Sequence, residues 1–210
     1  MQEELKENCF LSGGTIRKTI FILTAVFLPL LFCIAGMALL PFSELDQFLE
    51  EKQSTVIRDR KGELLWIVPV DDQGLRREFV PLEKIPDHVV EIMLISEDKR
   101  FFFHPGVDLY AVIRSLYQNI RHREIVSGAS TVTMQLASIM LGTERTLRAK
   151  MKEMFTAVRI ELRLSKRKIL EEWLNALPFG FQAEGVGTAS RIFFGKPVWK
   201  LTPAETVILA

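Results

Sequence analysis

Three short runs in this chain carry side chains suited to moving protons and holding phosphate. Residues 96–108 read SEDKRFFFHPGVD, so the adjacent carboxyl groups of Glu97 and Asp98 run into Phe101, Phe102, Phe103, His104 and a Pro105-Gly106 turn. Aromatic neighbours strip water from a carboxyl group and raise its proton affinity, as an acid or base working near neutral pH requires. The same letters would also suit two surface charges beside an aromatic core. Residues 127–135 read SGASTVTMQ, where Gly128, Ala129, Ser130 and Thr131 leave backbone N–H groups and hydroxyls open at the expected start of a helix. Such a nest fits an anion, a phosphate above all, although an ordinary helix cap has the same composition. The third group is Lys150 and Glu153, whose i, i+3 spacing puts a cation beside a carboxylate on one helix flank.

Apolar spacing supplies the helices that must hold these residues. Val89, Ile92, Met93 and Ile95 mark a helix with Asp87 as its expected N-cap. Leu109, Val112, Ile113, Leu116 and Ile120 mark a second, opened by Asp108, and Ser130 is expected to cap a third. A stripe through Met151, Met154, Phe155, Val158 and Leu162 predicts the helix of Lys150 and Glu153, with that pair on a flank away from the stripe and Lys152, Arg159 and Arg163 on the other. Between residues 145 and 168, nine Lys or Arg stand against Glu153 and Glu161. That basic face is either solvated or turned toward phosphate head groups. Ile169, Leu170, Trp173, Leu174 and Leu177 mark the next helix, and Thr202-Pro203-x-Glu205 combines an N-cap, a first-turn proline and a capping box. Because only eight residues follow Thr202, the domain is expected to be incomplete at its C-terminus.

Upstream the pattern changes. Residues 55–70, TVIRDRKGELLWIVPV, hold two β-prone runs around a Lys61-Gly62 turn, and residues 76–81 suit another short strand. Leu45, Phe48 and Leu49 at helical spacing make residues 43–52 an expected amphipathic stalk. Before it, the 24 residues 19–42 carry no charge; as a helix at about 1.5 Å per residue they are long enough to span a bilayer. Arg17 and Lys18 precede this run and Glu44, Asp46, Glu50 and Glu51 follow it, which puts the N-terminus in the cytoplasm and the body outside. A cleaved signal peptide suits it less well, since the apolar run is long and lacks an Ala-x-Ala site. The expected organisation is a cytoplasmic tail at 1–18, an anchor at 19–42, stalk and small β element at 43–80, and the main domain at 81–210.

With 27 Lys or Arg against 26 Asp or Glu, net charge +1, 48% apolar and 25% charged residues, the chain is neither collagen-like nor low-complexity, and no nucleic-acid partner is expected. Two cysteines, Cys9 and Cys33, and three dispersed histidines, His88, His104 and His122, make neither a disulfide framework nor a zinc set.

Together these residues fall into five ordered motifs: Glu97-Asp98-x-x-Phe101-x-x-His104-x-Gly106-x-Asp108, Gly128-x-Ser130-Thr131-x-Thr133-x-Gln135, Lys150-x-x-Glu153, Lys166-x-x-Ile169-Leu170-Glu171-x-Trp173-Leu174-Asn175, and Phe194-Gly195-Lys196. The set resembles the glycosyltransferase family 51 peptidoglycan polymerases, over roughly residues 81–210. Ala129, Met134, Ala149 and Trp173 depart from the family's usual Gly, Gln, Arg and Tyr, and Met134 looks like the penicillin-binding protein 1C branch. The resemblance implies a mainly α, lysozyme-like transglycosylase domain with a small N-terminal β-hairpin element and one transmembrane helix, working on the outer face of the bacterial cytoplasmic membrane. It implies lipid II and the growing glycan strand as substrates, membrane lipids and other cell-wall synthesis proteins as partners, and no required cofactor beyond a divalent cation, Mg or Mn, held near Glu97 or Glu153. Carried over, Glu97 is the general base and Glu153 the second catalytic carboxylate, while Asp98, Lys150, Ser130, Thr131, Gln135 and Asn175 bind substrate. Phe101, His104, Gly106, Gly128, Gly195 and Lys196 are structural members of the motifs.

Other readings remain open on the letters alone. Ser96-Glu-Asp-Lys99 and Ser165-Lys-Arg-Lys168 match the first transpeptidase motif, but neither Ser-x-Asn nor Lys-Thr-Gly accompanies them. A lytic enzyme acting on the same glycan would have no use for a phosphate nest or a basic helix. A membrane-anchored scaffold of cell-wall synthesis, catalytically incomplete, is the non-enzymatic alternative.

Overall fold

The computed structural model describes Phe21, Ala25, Gly36, Met37 and residues 39–51, 53–62, 64–122, 124, 128–143 and 146–210. The chain divides into two units, residues 1–41 and 42–210. In the first, the backbone is helical at Phe21, Ala25, Gly36, Met37 and Leu39. The expected cytoplasmic tail and most of the expected anchor lie outside the described residues, and among those described no helix is long and apolar enough to cross a membrane.

The second unit is mainly helical. Its helices are α1 (Ser43–Leu49), α2 (Asp87–Glu97), α3 (Leu109–His122), α4 (Val132–Leu141), α5 (Leu147–Arg163), α6 (Lys166–Ala176), α7 (Val186–Phe194) and α8 (Pro203–Leu209). Strands β1 (Val56–Arg58) and β2 (Leu64–Ile67) form the antiparallel hairpin expected around Lys61-Gly62, with Val56 opposite Ile67 and Ile57 opposite Trp66. A second sheet has the order β3, β5, β4: β3 (Arg76–Arg77) runs parallel to β5 (Ala183–Glu184), and β4 (Pro178–Gly180) runs antiparallel to β5.

Helix α4 is the centre of the domain because it is apolar nearly all round. Val132, Leu136 and Ala137 are wholly buried and Met134 almost so, against α5 and α6. Thr131, not the expected Ser130, is its N-cap and accepts from the Met134 N–H at 3.1 Å; Gly142 closes the other end in the left-handed region at φ 56°. Trp173, Leu174 and Ile169 of α6 complete the core with Val89, Phe101, Ile160, Val186 and Val198. Asp87 likewise is the first helical residue of α2, after Pro86, and not its cap. Helix α8 does carry the expected Thr202 and Glu205 capping box, with Pro203 in the first turn.

The segment expected as a stalk is docked instead. Phe42 and Leu45 are buried in the main core, Phe48 packs against it, and the Arg159 guanidinium lies 4.0 Å from the centre of the Phe42 ring. Arg159 therefore covers an aromatic ring, where the sequence suggested a phosphate-facing flank.

Two helices turn much of their expected apolar face outward. On α3 the predicted core stripe lies outward: Leu109, Ile113, Leu116 and Ile120 are each more than half exposed, and Ser115 is the buried residue of the helix. On α5, Met151, Phe155 and Leu162 are exposed, whereas Glu153, Thr156, Ala157 and Ile160 face inward. Val112 of α3 and Met154 and Val158 of α5 pack against the small cluster of Val107, Met134 and Ala157, so the domain covers one edge of each stripe and leaves the rest outward.

Candidate active site

Glu97 stands at the last turn of α2, exposed at the rim of a cleft of about 300 Å³ that also meets Arg114 of α3 and the 128–131 segment. A second, larger groove of about 820 Å³ adjoins it, and Ala129 and Ser130 line both. Lys150, Glu153, Ser138 and Gln135 line it together with the apolar Val112, Leu116, Met134, Leu147 and Met154.

Ser130 is free of capping duty and accepts instead from the Lys150 ammonium at 2.5 Å. The same ammonium bridges to Glu153 at 2.9 Å, and Thr143 donates to the other carboxylate oxygen at 2.8 Å. Burial pushes the Glu153 carboxyl up, but the hydrogen bonds from Lys150 and Thr143 outweigh it and hold the group below the usual carboxylate range. Glu153 is thus an inward-facing anion that fixes Lys150, and the outward flank predicted for it is corrected by its 6% exposure. Lys150 keeps an open face, its side chain being 40% exposed.

Gln135 lies between the two clefts and donates from Nε2 to Glu97 Oε2 at 2.6 Å. Thr131 is wholly engaged with protein, capping α4 and donating to the Gly106 carbonyl at 2.5 Å. Of two further residues expected to bind substrate, Asp98 lines the first cleft while Asn175 lines neither, and both are committed to protein partners. Asp98 is buried and accepts from His104 Nε2 at 3.0 Å and from the Val132 N–H at 3.1 Å, tying the end of α2 to the start of α4. Asn175, buried on α6, accepts from the Val80 N–H and donates to the carbonyls of Val80 and Glu171. Both brace the scaffold.

The remaining motif residues hold the loops. Phe101 is in the core with the Lys166 ammonium 4.3 Å from its ring centre, and Lys166 also donates to the His104 carbonyl at 2.7 Å. Gly106 has φ 90°, and a Cβ there would meet the Ala157 carbonyl oxygen at 2.9 Å, so glycine lets the loop lie against α5. Gly128 is exposed at the entrance of the first cleft. Gly195 ends α7 in the left-handed region, and Lys196 pairs with Glu205 at 2.7 Å, away from the clefts.

Thr143, Ser138 and Arg114 are among the site residues that motif spacing missed. Thr143 reaches Glu153 from the end of α4, and no spacing rule pairs positions on different elements; Arg114 sits among the exposed apolar residues of α3 and reads there as ordinary surface charge. Among the described residues no three His, Cys, Asp or Glu side chains gather to hold a metal. Glu153 is already taken by Lys150 and Thr143, so that carboxylate does not fit as a ligand of the Mg or Mn ion expected near it.

A family profile described as Transglycosylase matches residues 65–210. Penicillin-binding protein 1A of Aquifex aeolicus is 38% identical over 191 residues, covering 90% of this chain and 26% of that protein. Penicillin-binding protein 4 of Bacillus subtilis is 33% identical over 185 residues, covering 83% of this chain and 29% of that protein. Penicillin-binding protein 1A of Escherichia coli is 43% identical over 136 residues, covering 64% of this chain and 16% of that protein. The chain thus spans about a quarter of the length of the first two relatives. A profile match over more than half of the chain, on the same residues that build the two clefts, means that the chain belongs to the transglycosylases of glycosyltransferase family 51.

Proposed function

We propose that this chain polymerises lipid II, the lipid-linked disaccharide-peptide, into glycan strands at the outer face of the cytoplasmic membrane. The observation that carries the reading is the pair of adjoining clefts meeting at Ser130, one with Glu97 and the other with Lys150 held by Glu153. The acceptor's GlcNAc 4-hydroxyl lies in the first cleft and attacks C1 of the donor MurNAc. Glu97 takes the hydroxyl proton, the new C1–O4 bond forms with inversion, and the bond from C1 to undecaprenyl pyrophosphate breaks, its electron pair leaving with the phosphate. Charge grows on that leaving group, where Lys150 and the Ser130 hydroxyl answer it. Glu153 keeps Lys150 aimed, and no step is routed through a metal ion.

The apolar lining of the larger groove suits the polyprenyl chain and continues toward the exposed face of α3. Each large apolar side chain left in water forgoes about 1.5–3 kcal/mol, so a run of them that includes Ile113, Leu116 and Ile120 favours acyl chains as its surroundings. This supports a membrane-associated domain independently of residues 19–42.

Polymerisation of labelled lipid II by the full chain in detergent, wild type beside Glu97→Gln, tests the reading. Glycan from the wild type and a loss of about 10²–10⁴ in rate on substitution are expected, the usual worth of a general base. Equal activity of the two would remove Glu97 from the chemistry, and a folded wild type making no glycan would favour a scaffold.

A further inference from the structure

We propose that Trp173 is a positioning residue for the Glu97 carboxylate, acting through Gln135. The inference rests on the reading of Glu97 as the base and adds how that base is aimed. Glu97 is the exposed last residue of α2, so its own helix does little to fix its rotamer. Gln135 donates to Glu97 Oε2 at 2.6 Å and at its other end accepts from the Trp173 indole Nε1–H at 3.0 Å. A carboxylate only accepts and an indole only donates, so a single orientation of the amide between them satisfies both.

The indole is wholly buried in the core, where close packing on every side leaves its N–H one direction. It therefore decides which end of the Gln135 amide faces the cleft, and the amide in turn holds the carboxylate. Without the indole N–H, the amide can turn its carbonyl toward Glu97 or swing away, and either change releases the base from its direction. Productive geometry demands placement within about 0.5 Å. A core-anchored relay provides that better than a partly buried glutamine alone.

The test is steady-state polymerisation of lipid II by the full chain carrying Trp173→Phe, Gln135→Met, or both. Trp173→Phe is expected to lower kcat about tenfold, the order for loosening the Gln135 hydrogen bond to the charged Glu97 carboxylate, with KM within about twofold. In the Gln135→Met background the tryptophan substitution should add nothing, because the link it acts through is gone. A general loosening of the core would cost the same in both backgrounds, and that additivity overturns the proposal, as does an unchanged kcat. The indole N–H resonance of Trp173, identified by its disappearance in Trp173→Phe or otherwise by specific labelling, gives a readout that needs neither activity nor the folding of that variant. It should move upfield in Gln135→Met, and an unmoved resonance overturns the relay. A wild type that makes no glycan would sink the reading of Glu97 instead, leaving the resonance to decide the relay by itself.

Discussion

Lys150 and Lys168 sit on neighbouring helices and both pair with glutamates, yet only one has charge to offer a ligand. Lys168 is shared between Glu171 and Glu172, each at 2.7 Å, so two anions meet one cation. Lys150 meets one anion, Glu153, and one hydroxyl, Ser130, in the lining of the larger groove. Lys150→Ala is therefore expected to lower kcat/KM for lipid II by about 10²–10³, the range for removing one stabiliser of transition-state charge. Lys168→Ala should stay within a few-fold; equal losses in the same polymerisation assay would sink the assignment. Much of this was legible in the letters, since i, i+3 spacing pairs Lys150 with Glu153 wherever the helix faces. What the letters hid is the direction of Glu153, because an apolar stripe through Met151 and Phe155 reads by default as the buried side. Nor do they tell Asp98 from Glu97, adjacent carboxylates of which one is spent on His104 and the Val132 N–H.

Helix α3 shows the same outward turn at the scale of an element. Its apolar spacing predicted a helix, and a helix it is, but Ile113 is 69% and Ile120 68% exposed. Periodicity tells where a helix's apolar face points relative to itself, not whether protein or lipid covers it. If acyl chains do, a cysteine at Ile113, in a chain with Cys9 and Cys33 replaced by Ser, should react with a water-soluble maleimide in detergent after dilution but be shielded in reconstituted vesicles. A cysteine at the exposed Glu91 of α2 is the control and should react in both. Equal reaction of the two positions in vesicles would mean that α3 faces water. The capping signals of α8 were readable because they are local, three residues apart. Strands β4 and β5 were not, since elements of two or three residues exist only through pairing, here β4 with β5 and β5 with β3, a hundred residues upstream.

Across the whole molecule, the ionisable groups set which way stability moves with pH. Burial pushes Glu153 and Glu171 up, but hydrogen bonds from Lys150 and Lys168 respectively, with Thr143 and the Leu82 N–H beside them, hold both below the ordinary 4.5. Hydrogen bonds from Lys196 and Thr202 take Glu205 down to about 2. Each of these folded carboxyls binds protons less readily than its unfolded counterpart, so each contributes stability that is complete above pH 4.5 and lost as pH falls through its folded value. Glu184 runs the other way: burial raises it despite Arg77, and its contribution is complete below 4.5 and lost as pH rises through its folded value. Among the described residues three such carboxyls oppose one, and the urea midpoint should fall between pH 4.5 and about pH 3. In Lys150→Met, Glu153 would lose the strongest of the partners that hold it down while keeping Thr143 and the burial that pushes it up, so its protonation would favour unfolding less. That variant should be less stable than the wild type at neutral pH and lose less on acidification. A parallel decline in both proteins would show that the Lys150–Glu153 pair does not set this part of the profile.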